Sequence, residues 1–157
     1  MIYIEDFLNC SIALVKEQIN AKLAEIDAER GDFTLKPIDL DNGIVFQSLN
    51  NLPVNFDPIL FYGIDQVDSD SIESAQGETW DLEFSIILAD PQDRTADKRI
   101  LRYQRALKEI FSENYIKINN MRQKVRVKSL NPVSFLLQNS SNEFRAIGII
   151  VETTLFQ

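Results

Sequence analysis

The stretch "TWDLEFSIILA" (Thr79 to Ala89) constrains the fold more than any other part of this chain. Trp80, Leu82, Phe84, Ile86 and Leu88 alternate with Asp81, Glu83 and Ser85. A period of two puts the first set on one side of an extended strand and the second on the other. One face is therefore predicted to be buried and the other to be wet where the strand begins. Ile87 interrupts the polar face, so the far end is expected to be covered on both sides. Such a strand needs partners in a sheet and a second layer over its apolar face.

The sequence supplies that layer in two places. From Ile4 to about Glu29, apolar residues recur at steps of three and four: Leu8, Ile12, Val15, Ile19, Leu23 and Ile26. This is the stripe of one long amphipathic helix, and Gly31 provides a stop. The second helix is "RTADKRILRYQRALKEIF" and runs to about Ser112, with Ile100, Tyr103, Leu107 and Ile110 as its stripe. Asp90 or Asp93 is placed to cap it, with Pro91 near its first turn.

The remaining segments read as strands and connections. Ile44–Leu49, Ile59–Ile64, Lys124–Leu130, Val133–Gln138 and Glu143–Phe156 are strand candidates, and "NSSN" before the last reads as a hairpin turn. "LKPIDLDNG" and "NNLPVNFDP" carry loop signals. Residues 65 to 78, "DQVDSDSIESAQGE", are polar and acidic, and read as a long exposed loop. The order of helix, strands, helix, strands predicts an α+β class: a single domain over residues 1–157, with a mostly antiparallel sheet and both helices on one face. The length of 157 residues suits one domain, and a chain 45% hydrophobic can fill one core.

Composition removes several classes of function. There is no histidine, so the commonest general base and metal ligand are missing. The one cysteine, Cys10, has no internal disulfide partner and reads as a small buried or half-buried side chain in the first helix. The glycines at 31, 43, 63, 77 and 148 are scattered and make no phosphate loop. Asp65, Asp68, Asp70 and Glu73 invite a calcium reading, but their spacing does not fit a calcium loop and the turn glycine is absent. Asp81 and Glu83 read as a solvated pair; a two-carboxylate hydrolase assembled by folding is not visible at this level. No cofactor and no catalytic residue is expected, and no apolar run reaches the roughly 18 residues of a membrane span. Glu5 and Asp6 stand where an export signal is basic, so none is expected.

Charge is distributed unevenly. The chain carries a net charge of -8, yet residues 94 to 128 hold eleven basic and three acidic residues. That segment is therefore +8 and the remainder -16. Arg94, Lys98, Arg102 and Arg105 fall at steps of four, four and three, a stripe opposite the apolar face of the second helix. Arg122, Lys124, Arg126 and Lys128 alternate, and on one strand they would share a face. Two readings stay open. The cations pair with the chain's own acids, at about 0–1 kcal/mol for each surface pair, or they form a contact face for an acidic neighbour. Alternating cations also suit phosphate backbones. The pI of about 4.6 and the lack of aromatic residues within the basic strand count against specific nucleic-acid binding, and leave passing contact with DNA.

The order of elements carries one resemblance. A long N-terminal helix leads to "ETWDLEFSIILAD", then "RILRYQRALKEIF", and the chain closes on "IIVETTLFQ". This order resembles the tail terminator or tail completion proteins of tailed bacteriophages, and the neck proteins that join head to tail. The resemblance spans nearly the whole chain as a pattern of elements, without a diagnostic motif. It implies a structural virion protein, assembled in the host cytoplasm as a ring of usually six copies. Such a ring caps the tail tube and contacts the head connector. It implies no catalytic residue and no cofactor. On that reading the basic residues form subunit or partner contacts, and Asp65, Asp68, Asp70 and Glu73 lie on an acidic loop ordered by a partner. A different neck or adaptor protein, or a small α+β enzyme or ligand-binding domain, are the alternatives.

Overall fold

The computed structural model describes residues 4–46, 58–70, 79–136 and 143–156. Helix α1 spans Ile4–Arg30 and buries Phe7, Leu8, Ser11, Ile12, Val15, Ile19, Leu23 and Ile26. This is the predicted stripe, widened by Phe7 and by Ser11, whose hydroxyl donates to Phe7 O at 2.7 Å. Gly31 ends the helix at φ 67°, and its amide donates to Asp27 O at 2.9 Å. Glycine takes this left-handed conformation without steric cost.

The segment after α1 turns back along the helix. Asn20 exchanges two hydrogen bonds with the Ile38 backbone, at 2.8 and 3.0 Å, and Leu35 N donates to Asp27 Oδ2 at 2.9 Å. These bonds hold Leu35 and Ile38 in the core. Strand β1 follows (Ile44–Phe46), then β2 (Ile59–Asp70), β3 (Thr79–Pro91), helix α2 (Ala96–Glu113), β4 (Ile116–Ile118), β5 (Met121–Gln123), β6 (Arg126–Ser129), β7 (Val133–Leu136) and β8 (Glu143–Phe156).

The main sheet runs β1-β2-β3-β8-β6, with β7 also paired to β8; every pairing is antiparallel except β1 with β2. Directly opposed residues share a face, so register fixes the layers. Phe84 faces Val151 and Ile86 faces Ile149, and all four are buried under the two helices. Phe7 of α1 meets Phe84 edge to face, with centroids 5.8 Å apart. Burying a side chain of this size fully is worth about 1.5–3 kcal/mol. The α+β class, with two helices packed on a mostly antiparallel sheet, is as the sequence predicts. The alternate residues of β3 behave as expected too. Asp81 is exposed, while at the far end Ile87 and Ala89 join Ile59, Phe61, Phe144 and Ala146 in a second apolar cluster on the opposite face.

Three expectations need correction. Residues 65–70 are not loop: β2 continues to Asp70, so Asp65, Asp68 and Asp70 lie on a strand paired with β3. The pairing slips at Ile64/Gln66, and Asp65 is the extra residue of a bulge. Glu73, the rest of the expected loop at 71–78, and the "NSSN" turn lie outside the described residues. Helix α2 begins at Ala96 rather than near Pro91. Asp90 and Pro91 finish β3, and Asp93 accepts from Thr95 N at 2.8 Å in the turn between them.

The predicted basic strand is also divided. Arg122 sits on β5, Lys124 on the connection, and Arg126 and Lys128 on β6. The β4–β5 hairpin turns at Asn119 and Asn120, with φ of 51° and 63°. Positive φ at both turn residues matches the twist of the flanking strands, and asparagine tolerates it.

Candidate interaction surfaces

Of the predicted stripe, Lys98, Arg102 and Arg105 lie on α2 and Arg94 lies in the turn before it, and the four resolve into two groups. Arg102 reaches Asp32 with two parallel hydrogen bonds, both 2.8 Å, and its guanidinium lies 4.1 Å from the centre of the Phe33 ring. Arg105 holds Glu29 at 2.7 and 3.1 Å and Glu109 at 2.8 Å. Lys22 of α1 pairs with Glu113 of α2. Arg102 and Arg105 are therefore spent inside the molecule, tying α2 to α1 and the turn after it. A double reversal that includes Arg102 would disturb this clasp as well as any outer contact. Arg94 and Lys98 are exposed, and neither makes an ion pair among the described residues.

The clasp gives a pH dependence with a definite sign. The Arg102 guanidinium holds the Asp32 carboxyl at about 2, and Arg105 holds Glu29 below its usual range. A carboxylate with a depressed folded pKa adds stability that is complete above its unfolded value and is lost as pH falls toward the folded one. Melting followed by circular dichroism should therefore show a fall in Tm between about pH 4 and 2 that is shallower in an Asp32→Asn, Glu29→Gln variant. Parallel curves would mean that the clasp adds nothing.

A second anchor, not singled out from the sequence, fixes the start of α2. Asp90 is 2% exposed at the end of β3. Arg99 Nε donates to its Oδ2 at 2.7 Å, and the same guanidinium bonds Pro91 O at 2.9 Å and Asp93 at 2.7 Å. The Tyr103 hydroxyl donates to Asp90 Oδ2 at 3.2 Å. Burial pushes the Asp90 carboxyl up, and burial with the neighbouring Asp90 pushes the Tyr103 phenol up.

The open face of the sheet, away from the helices, is acidic at the end where β3 begins. Glu83 stands directly opposite Glu152. Sharing a hydrogen bond with Glu152 pushes Glu83 up, while Lys128 draws Glu152 down. Lys128 and Arg126 both pair with Glu152, at 2.5 and 3.8 Å. Ser85 donates to Asp65 at 3.2 Å and Thr154 to Asp81 at 2.7 Å. Among the described residues no cluster of three or more acidic or cysteine side chains could hold a metal. Asp65 thus belongs to a sheet surface rather than an arm, and Arg126 and Lys128 are partly neutralised by it. Arg122, Lys117 and Lys124 are exposed on and beside the β4–β5 hairpin, and no ion pair is formed by them among the described residues.

On the helix side, a groove of about 450 Å³ runs between α2 and β6, lined by Leu101, Gln104, Arg105, Lys108, Glu109, Ser112 and Val127. Its one carboxylate, Glu109, is paired with Arg105. The carboxyls shifted upward at Glu83 and Asp65 are on the opposite side of the sheet. No helix among the described residues is long and apolar enough to cross a membrane. Sequence reasoning missed Asp32, Glu29 and Glu152, and read Asp90 as a helix cap, because each acid meets its arginine or lysine only in the fold. No family model matches the chain, and no curated protein matches its sequence.

Proposed function

We propose that this chain is a structural subunit that assembles head to tail into a ring, in the manner of a phage tail terminator that caps the tail tube and meets the head connector. The observation that carries this reading is the separation, along β3, of charge that forms no ion pair among the described residues. Asp65, Asp81 and Glu83 lie near its beginning, on the open face. Arg94 and Lys98 lie beyond its end, exposed and unpaired among the described residues. Asp81 and Pro91 are ten positions apart on an extended strand, on the order of 30 Å. Opposite charges at opposite ends of one molecule favour contact between unlike surfaces of neighbouring copies, and such contacts close into rings when the rotation permits. The order of α1, β3, α2 and the closing strand β8, on which the resemblance rests, also supports it. On this reading the protein is not an enzyme, its partners are further copies, the tail tube and the neck, and its place is the virion.

Negative-stain electron microscopy of the purified protein, alone and mixed with tail tubes, tests the reading. Rings, or caps on tube ends, are the expected result. They should be lost in an Arg94→Glu, Lys98→Glu variant that unfolds at the same temperature as the parent. Particles that stay single and ignore the tubes would defeat the proposal.

A further inference from the structure

The β4–β5 hairpin lies in a stretch whose only charges are basic. Between Glu113 and Glu143 there is no acidic residue, while Lys117, Arg122, Lys124, Arg126 and Lys128 fall within this stretch. Arg126 and Lys128 answer Glu152. The other three remain. Ile116 and Ile118 turn inward and are buried, which sends Lys117 outward. Lys117 is directly opposite Arg122 in the register. Like charges opposed across a strand pair destabilise it, and no acid of the hairpin relieves them. Extending the register one step places Tyr115 and Lys124 on the same outer face. Tyr115 is 62% exposed, and the Arg122 guanidinium lies 4.7 Å from its ring centre, the diagonal contact expected on such a face.

We infer that the outer face of this hairpin, formed by Tyr115, Lys117, Arg122 and Lys124, binds single-stranded nucleic acid. The three cations would meet backbone phosphates, and a base would lie against Tyr115. Strand geometry spaces alternate side chains by about 7 Å, so the cations form a track rather than a single point. An exposed aromatic ring beside that track is what separates this ligand from an acidic polypeptide, which has phosphate-like charge but no flat face to stack. The aromatic residue missing from the basic segment as a single strand is supplied by the hairpin. The overall charge of -8 does not forbid the contact, because opposing charges beyond about 10 Å are screened at 0.1 M salt. The inference does not depend on ring assembly.

Fluorescence anisotropy of a labelled oligodeoxynucleotide of about 20 bases, longer than one site of typical single-strand binders, tests it. With three phosphates contacted, affinity should fall about 20-fold between roughly 50 and 200 mM salt. Tyr115→Ala should weaken single-strand binding about fivefold or more and leave duplex binding unchanged. The variant Lys117→Gln, Arg122→Gln, Lys124→Gln should lose binding, while Arg94→Gln, Lys98→Gln keeps it. Circular dichroism and melting serve as the control that each variant is folded. The inference is overturned by absence of binding at low salt, or by equal loss in the two charge variants. It is also overturned by an unaffected Tyr115→Ala protein, or by polyglutamate displacing the oligonucleotide as well as unlabelled oligonucleotide does.

Discussion

Replacing Gly148 with alanine should destabilise the protein by about 3 kcal/mol or more, at or beyond the upper end for overpacking. Gly148 sits mid-strand in β8, directly opposite Ile87. A methyl group there would fall 2.1 Å from Ile86 O and 2.8 Å from Ile87 Cα. Both are backbone atoms of the neighbouring strand, so no side chain can rotate away. The strands themselves must part at the centre of the sheet. The glycine carbonyl is committed as well. It accepts from Leu130 N at 2.9 Å and from Gln104 Nε2 at 2.8 Å, and the same amide nitrogen bonds Leu130 O at 3.0 Å. These bonds bridge the gap where β6 has ended and β7 has not begun, and they connect it to α2. Alanine is ordinarily better than glycine in a strand by about 0.5–1 kcal/mol, so propensity alone predicts the opposite sign. Gly63 on β2 makes the comparison clean, because a methyl group there meets nothing within 4 Å. Guanidinium unfolding should show Gly63→Ala near or above the parent and Gly148→Ala far below it or insoluble. Equal midpoints would show that the strands have room to spare.

That glycine illustrates what the sequence leaves unread. Periodicity revealed α1 from Ile4, the inward face of β3 and the length of β8, because burial on one side of a regular element writes its own period into the chain. It missed the second half of β2. Asp65 to Asp70 contain one apolar residue, Val67, so no period in the sequence marks a strand that pairs with β3 along its length. It missed the β4–β5 hairpin although a signal was present: Asn119-Asn120 between "YIKI" and "MRQ" is a two-residue turn of the kind that tolerates positive φ. The basic stripe on α2 was legible as a pattern, but its role was not. Arg102 and Asp32 are 70 residues apart, and nothing local distinguishes a cation that meets such a partner from Lys98, which meets none among the described residues.

The same blindness hid the ion pair at the head of α2, where the second large effect is expected. Arg99→Met should cost about 3–5 kcal/mol at neutral pH, the range for a buried pair deprived of one partner. A domain of this kind has about 5–15 kcal/mol in total, so the variant would be barely folded. The loss comes mainly from what remains. Asp90, 2% exposed, would keep only the Tyr103 hydroxyl as a side-chain donor among the described residues. Pro91 O would lose its Arg99 donor, and Asp93 would keep only its bonds from Thr95 among the described residues. Burial already pushes the Asp90 carboxyl up, and removing the cation beside it pushes it further. A group whose folded pKa is raised favours the folded state when protonated, so the deficit of Arg99→Met should be complete and level above the variant's raised Asp90 value and shrink as pH falls through it. Asp90→Asn in the Arg99→Met background removes the stranded charge while keeping an acceptor for Tyr103, and should recover most of the loss. The comparison is a double-mutant cycle by guanidinium unfolding at neutral pH, with the parent, both single variants and the pair. A recovery of most of the deficit identifies an unpaired buried carboxylate as its cause. If Arg99→Met costs as much with asparagine at position 90 as with aspartate, the guanidinium acts through packing and its bonds to Pro91 and Asp93, and the charge of Asp90 is incidental to the joint between β3 and α2.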